Sequence, residues 1–133
     1  MDRIYISALD ETPQQQAVNE HLIELLAGYA FDIFMATRRG VAINGDFSQL
    51  GLPLDLSKMM LVVFHTAAPS PQMTHEIEQA IHRRIPILAL SAIPVADVPA
   101  KYLEQFVKVI AVPEDYDDLI HPIMTTINRH FPV

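Results

Sequence analysis

A near-continuous apolar run, MMLVVF, occupies residues 59–64 near the middle of the chain. This pattern is typical of a strand with helices packed on both of its faces, because neither side meets water. A second such run, IPILAL, occupies residues 85–90, and its proline lies near the start, where a missing amide hydrogen is tolerated. Two buried strands of this kind favour a parallel sheet in the interior of an α/β protein.

Strand and helix patterns alternate on both sides of these runs. We predict strands at 3–7, 31–35, 59–64, 85–90 and 107–112. We predict helices from Pro13 to Gly28, at 74–84, at 102–106 and from Pro113 onward. Between the second and third strands we expect an irregular loop at 36–56. Helices that alternate with strands imply right-handed crossovers between parallel strands. We therefore expect a flavodoxin-like three-layer sandwich, with a five-stranded parallel sheet in the order 2-1-3-4-5 and one domain over residues 1–133.

The first helix has the clearest boundary signals. Thr12 is the predicted N-cap, Pro13 occupies the first helical position, and Gln15 follows three residues after the cap, which is the pattern of a capping box. Gly28 is the predicted C-terminal cap.

The composition excludes several classes of protein. Nine Lys and Arg against sixteen Asp and Glu give a net charge of -7, which argues against nucleic acid or an anionic membrane as the main partner. The absence of cysteine excludes disulfides, a thiolate nucleophile and a cysteine-based metal site. No apolar run reaches the roughly 18 residues of a membrane span, and the N-terminus lacks a signal-peptide pattern, so we expect a cytoplasmic protein.

Ligands of open α/β sheets bind beyond the carboxyl ends of the strands, at the point where the strand order reverses. In the order 2-1-3 this point lies between the first and third strands, where the loops 7–12 and 65–75 meet and the loop after the second strand can close over them. In or beside these loops lie the polar candidates Ser7, Asp10, Arg38, Arg39, Ser70, His75 and Glu76.

Glu76 is the strongest of these candidates. A carboxylate at a helix start beside an apolar crevice has a tunable pKa, although the commoner role of such a residue is to complement the helix dipole. Glu78 lies two residues further on, so we expect it to face solvent. Arg38 and Arg39 could contact a phosphate group, or could simply be solvated charges.

Other chemistries lack their sequence patterns. The chain has no G-x-G-x-x-G and no G-x-x-x-x-G-K-[ST] motif, and no nucleophile elbow surrounds Ser70. A response regulator needs a phospho-accepting aspartate at the end of the third strand, but that strand ends at Phe64 and His65. His75 and His82 lack a third converging ligand, so we expect no metal and no cofactor.

Residues 70–80, SPQMTHEIEQA, followed by RIPIL at 84–88, resemble two related families. One is the Toll/interleukin-receptor (TIR) domain, and the other is the nucleoside 2-deoxyribosyltransferase-like group. Both are flavodoxin-like, and both have a glutamate at the position that matches Glu76. The pair Ser57-Lys58 before the third strand and the loop with Gly40 are similar to the TIR pattern. The deoxyribosyltransferase group usually has an aspartate at the position of Met60, and this chain does not.

Two further features bear on the choice between the two families. The first strand, at residues 3–7, resembles the opening of the deoxyribosyltransferase group as much as that of a TIR domain. TIR domains commonly have a tryptophan four residues before the glutamate, and here that position is Gln72. The resemblance therefore covers one domain that could belong to either group.

The resemblance implies an enzyme that cleaves the N-glycosidic bond of NAD, with Glu76 as the catalytic carboxylate. One alternative is a deoxyribosyltransferase-like nucleotide N-glycosidase, and another is a non-enzymatic self-association module of the TIR type. If the protein is such an enzyme, Ser70 would bind the sugar or fix Glu76, and Arg38 or Arg39 would contact phosphate oxygens. The pocket for the base would be lined by Ser7, Ala8 and Leu9. Asp10 and His75 would make further contacts with the substrate. We expect a small-molecule nucleotide such as NAD as substrate rather than cofactor, a homo-oligomer, and neither nucleic acid nor membrane as partner.

Overall fold

The computed structural model describes residues 2–39 and 50–130, without the side chain of Arg39. Its strands are β1 (Arg3–Ala8), β2 (Asp32–Phe34), β3 (Ser57–Phe64), β4 (Ile87–Ser91) and β5 (Phe106–Ala111). Its helices are α1 (Pro13–Ala27), α2 (Gly51–Asp55), α3 (Pro71–His82), α4 (Ala100–Leu103) and α5 (Ile120–His130). The strands pair in parallel in the order β2-β1-β3-β4-β5, which confirms the predicted flavodoxin-like sheet.

Two apolar layers cover the two faces of the sheet. On one face, Ile4, Ile6 and Ala8 of β1 pack with buried residues of α1 and α5. On the other face, Tyr5 of β1 packs with buried residues of α2, α3 and α4. Burying a large apolar side chain contributes about 1.5–3 kcal/mol, so these layers supply most of the driving force for folding. No helix of the described residues is both long and apolar enough to cross a bilayer.

The predicted start of α1 is confirmed, and its end has an unexpected detail. Thr12 and Gln15 form the capping box, with the Thr12 hydroxyl accepting from the Gln15 amide at 3.1 Å. Gly28 is the C-cap, but its φ of -63° is ordinary helical backbone. The left-handed residue is Ala30, with φ 64°, which lets the Phe31 amide turn back to the Leu26 carbonyl.

Helix α3 begins at Pro71, three residues before the predicted start at Thr74. Ser70 is its N-cap, and the Ser70 hydroxyl accepts from the Met73 amide at 3.1 Å. Pro71 therefore occupies the first position of the helix, where a backbone amide hydrogen is not needed. The additional turn places Glu76 in the second turn of α3.

Several other boundaries differ from the prediction. Strand β1 runs one residue further than predicted, to Ala8, so Ser7 lies inside the strand and not at the start of the loop. The short helix α4 ends at Leu103, and buried Phe106 begins β5 because its side chain joins the core. A 3₁₀ helix at Tyr116–Leu119 precedes α5, so the closing helix starts later than Pro113.

The predicted irregular region is only partly described. It contains a 3₁₀ helix at Ala36–Arg39 and the short helix α2. Strand β3 begins directly after this region, at Ser57, two residues before the predicted start of the strand at Met59. Gly40, on which the TIR-like loop was placed, lies outside the described residues.

Candidate active site

Glu76 lies on the buried face of α3 and is 1% exposed. Met73, Ile77 and Ala80 share this face and pack into the apolar layer around Tyr5. Packing alone would favour an apolar residue at this position. A buried carboxyl group without partners costs folding free energy, so Glu76 needs hydrogen bonds. Exposed Glu78 has the orientation that the sequence predicted.

Two hydroxyl groups of β1 satisfy the Glu76 carboxyl. The Ser7 hydroxyl donates to Oε1 at 2.8 Å, and the Tyr5 phenol donates to Oε2. Tyr5 and Ser7 are two residues apart on one strand, so their side chains point to the same face of the sheet. The Tyr5 ring also packs on Phe34, with centroids 5.3 Å apart, which fixes the phenol in place.

The electrostatics of this cluster follow from its burial. Burial raises the pKa of Glu76 from 4.5 to about 7, while hydrogen bonds from Tyr5, Ser7 and Gln72 act in the opposite direction. Burial also raises the pKa of Tyr5, and the nearby Glu76 charge adds to that effect, so Tyr5 stays protonated as a donor. Near neutral pH, both the protonated and the ionised forms of the Glu76 carboxyl are therefore populated.

The other predicted site residues near Glu76 do not all have the positions or contacts expected from the sequence. Ser70 was expected to bind sugar or fix Glu76, but its hydroxyl caps α3, and Ser7 supplies the serine contact to Glu76 instead. Leu9 packs against the apolar layer on the Glu76 side, whereas Ala8 belongs to the opposite layer, because successive strand residues face opposite ways. His75 is half-buried on α3.

Arg38 and Asp10 are brought together, but as an ion pair. The Arg38 guanidinium donates to the Asp10 carboxylate through Nε at 3.0 Å and Nη2 at 3.1 Å, and it also pairs with Glu20. A phosphate contact by Arg38 would therefore require one of these carboxylates to release it. The side chain of Arg39, the other predicted phosphate contact, lies outside the described part of the chain.

The predicted site residues did not include Tyr5, Asn19 or His65. Tyr5 could have been predicted, because it is two residues from Ser7 in a predicted strand and its side chain therefore lies on the same face of the sheet as that of Ser7. Asn19 is fully buried on α1, where it donates to the Leu9 carbonyl at 2.8 Å and to Asp10 at 3.0 Å. Its amide oxygen lies 3.0 Å from Nε2 of His65. Within residues 2–39 and 50–130, no three histidine or carboxylate side chains are grouped to hold a metal ion.

Comparison with known proteins identifies the fold class alone. No family model and no curated protein sequence matches the chain. A conserved protein from Enterococcus faecalis V583 aligns with a TM-score of 0.67 and 15% identity over 94% of this chain and 98% of its own. A 2-deoxyribosyltransferase from Bacillus psychrosaccharolyticus aligns with a TM-score of 0.66 and 11% identity over 90% of each chain.

A third solved structure has a similar fold but lacks a counterpart in this chain for one residue expected of its class. The response regulator TrrA from Thermotoga maritima aligns with a TM-score of 0.57 and 15% identity over 95% of this chain and 99% of its own. The chain has the same architecture, yet β3 ends at Phe64 and is followed by His65, with no aspartate at that point. These three structures include a 2-deoxyribosyltransferase and no TIR domain, and at such low identity they establish a shared fold only.

Proposed function

We propose that the protein breaks the N-glycosidic bond of a nucleoside or nucleotide, with Glu76 as the catalytic carboxylate. The observation that carries this proposal is the buried Glu76 carboxyl, held by the Tyr5 and Ser7 hydroxyl groups where β1 meets β3. A carboxyl group in that position is costly to folding, so its presence on the apolar face of α3 favours a chemical role.

The reaction begins at the anomeric carbon of the sugar. As the carbon–nitrogen bond breaks, its electron pair leaves with the base, and the base takes up a proton. Positive charge develops on the sugar, and ionised Glu76 stabilises this charge or bonds covalently to the anomeric carbon. Water then completes a hydrolysis, or a second base completes a transfer, and either step frees the carboxylate.

The two hydroxyl donors have a positioning role in this scheme. Because both lie on one strand, Tyr5 and Ser7 hold the two Glu76 oxygens in a fixed orientation before substrate arrives. Preorganised groups cost no rearrangement during the reaction. Their hydrogen bonds also favour the ionised form of Glu76 against the effect of burial.

A nucleoside-type substrate is favoured over NAD by two observations. The similar 2-deoxyribosyltransferase supports nucleoside chemistry on this fold. Moreover, NAD carries a diphosphate, and the guanidinium of Arg38 is already paired with Asp10 and Glu20. NAD cleavage, the first expectation from the sequence, remains as one arm of the test.

The test is base release, measured by chromatography. The protein would be incubated with deoxyadenosine, deoxycytidine, their 5′-monophosphates and NAD, with and without a second free base. We expect Glu76→Gln to lower base release by on the order of 100-fold or more, since the amide keeps the shape but not the charge. Glu78→Gln, on the exposed side of the same helix, should leave the rate within a factor of about two.

Two results would count against this function. No base release from any of these substrates would remove the enzymatic proposal, and light scattering would then test the self-association alternative. Full activity of a folded Glu76→Gln protein would remove Glu76 from the mechanism. Release of nicotinamide alone would retain Glu76 and change the substrate class to NAD.

A further inference from the structure

A separate cavity of about 540 Å³ lies at the carboxyl ends of β3, β4 and β5, beside the start of α1. It is lined by Thr12, Gln14, Gln15, Val18, His65 and five residues of the β4 and β5 ends, among them Glu114 and Tyr116. Val18 belongs to the apolar layer of α1 and α5, whereas Glu76 lies among the residues of the other layer. The cavity is therefore on the opposite face of the sheet from Glu76, and its volume is in the range of small-molecule sites.

Buried Asn19 fixes the chemical form of His65 in this cavity. The Leu9 carbonyl can only accept a hydrogen bond, so the Asn19 atom that contacts it must be the amide nitrogen, which also donates to Asp10. The amide oxygen of Asn19 consequently faces His65, and Nε2 of His65 must carry the hydrogen that it accepts. The tautomer of neutral His65 that fits has Nδ1 as a hydrogen-bond acceptor.

The ring has an environment that keeps it neutral. Burial lowers the pKa of His65, and the charge of Asp10 acts in the opposite direction. The Asp10 charge is itself shared with Arg38 through two hydrogen bonds, which moderates its influence on the ring. Neutral His65 is thus available at physiological pH, with Nδ1 unprotonated.

The remaining lining defines the kind of ligand. Among the described lining residues the one charged side chain at neutral pH is Glu114, so a phosphate group would be repelled. Tyr116, Pro113 and Val112 offer apolar and aromatic surface to a flat ring. Nδ1 of His65 and the Glu114 carboxylate both accept hydrogen bonds, so the complementary ligand carries N–H groups.

We propose that this cavity is a second binding site, which takes an uncharged amino-bearing heterocycle such as a nucleobase or its unphosphorylated nucleoside. Nδ1 of His65 accepts a hydrogen bond from the ligand, and Asn19 is the positioning residue that sets the tautomer. The site does not depend on the chemistry proposed for Glu76, because it is built from other residues on the other face.

The test is a binding titration with adenine, adenosine and AMP, followed by calorimetry and by the ring ¹⁵N signals of His65. We expect adenine and adenosine to bind saturably and to move the Nδ1 signal, and AMP to bind about tenfold more weakly because of Glu114. His65→Phe should weaken adenosine binding about tenfold, while Glu78→Gln, on the exposed side of α3, should leave it unchanged.

A second variant tests the same cavity if His65→Phe fails to fold. Exposed Glu114→Gln should bring AMP binding closer to adenosine binding by about threefold, and Glu104→Gln, an exposed glutamate near the end of α4, should change neither. The proposal is overturned if none of the probes binds saturably. It is also overturned if Glu76→Gln abolishes binding while His65→Phe retains it, since the ligand would then occupy the Glu76 site.

Discussion

The Tyr5 phenol donates a hydrogen bond to the Glu76 carboxyl across a separation of 71 residues in the sequence. The bond joins a central strand of the sheet to the helix that follows β3. Both groups are buried, with Tyr5 at 0% and Glu76 at 1% exposure, so the interaction is not weakened by competing water. The hydrogen bond therefore links α3 to the sheet, and it lowers the pKa of Glu76 against the larger, raising effect of burial.

Removing the phenol should move the pH dependence of activity. Tyr5→Phe deletes a donor that favours the ionised carboxylate, so the pKa of Glu76 should rise further above its present value of about 7. Activity that requires ionised Glu76 increases with pH through this pKa, so the rising limb should shift to higher pH. We expect about a tenfold loss at pH 7, measured as kcat/KM against pH.

Tyr102→Phe is the matched control for this experiment. Tyr102 is 4% exposed, and its buried hydroxyl has no hydrogen-bond partner among the described residues. Its removal should leave the pH limb in place and cost no stability. A limb that moves equally in both variants would argue against a specific Tyr5–Glu76 effect.

Glu76 should also make stability depend on pH. Its folded pKa of about 7 lies above the unfolded value of 4.5, so the folded protein binds more protons than the unfolded chain between these values. The stabilising contribution is complete below about pH 4.5 and is lost as the pH rises through 7, and it amounts to about 3 kcal/mol.

Chemical denaturation at pH 4 and pH 8 would measure this effect. The difference in unfolding free energy between the wild type and Glu76→Gln should change by about 3 kcal/mol between the two pH values, in the direction of lower wild-type stability at pH 8. Glu78→Gln should show no such change. Parallel curves for the wild type and Glu76→Gln would contradict the raised pKa.

The two serines should separate activity from stability. Ser7→Ala removes a 2.8 Å hydrogen bond to Glu76 and should lower kcat about tenfold. Ser70→Ala removes the N-cap of α3 and should cost about 1 kcal/mol of unfolding free energy with little change in kcat. The reverse assignment, with Ser70→Ala inactive and stable, would restore the role first expected for Ser70.

Arg84→Gly should stabilise the protein. Arg84 has a left-handed φ of 58° after α3, where its amide and that of Ile85 turn back to the last carbonyls of the helix. A glycine adopts this conformation without the steric cost of a side chain, so we expect a gain of about 1 kcal/mol in thermal denaturation. Arg84→Ala keeps the strain and should show no gain, which separates the backbone effect from the loss of charge.

Arg38→Gln should have little effect on the choice between a nucleoside and its monophosphate. Its guanidinium is held by Asp10 and Glu20, so it has no free fork for a phosphate. We expect the ratio of KM values for the two substrates to change by less than about threefold, with Arg83→Gln as a control for loss of an ion-paired arginine. A selective rise in KM for the monophosphate would instead support the phosphate contact expected from the sequence.

The sheet could be predicted from sequence because its central strands are nearly uninterrupted apolar runs. The position of Glu76 relative to β1 was also implied, since the strand order sets which loops meet. The start of α3 was predicted three residues too late because Pro71 was not assigned to the first helical position, although the same rule had correctly placed Pro13 at the start of α1.

The contacts of the site were less accessible from sequence. Tyr5 was assigned only its strand propensity, although its spacing from Ser7 placed both side chains on one face. The partners of Arg38 come from residues 28 and 18 positions away, and no local pattern reveals such a pairing. The Asn19–His65 contact likewise depends on how α1 packs over the end of β3.

Alternation along β1 has a consequence for how this protein tolerates insertions and deletions. Ile4, Ile6 and Ala8 face one layer, while the two hydroxyl groups that hold Glu76 face the other. Deleting Ile6 would make Tyr5 and Ser7 adjacent, so that their side chains would point to opposite faces and only one hydroxyl could reach Glu76. The spacing between Tyr5 and Ser7 is therefore as important to the site as the identity of the two residues.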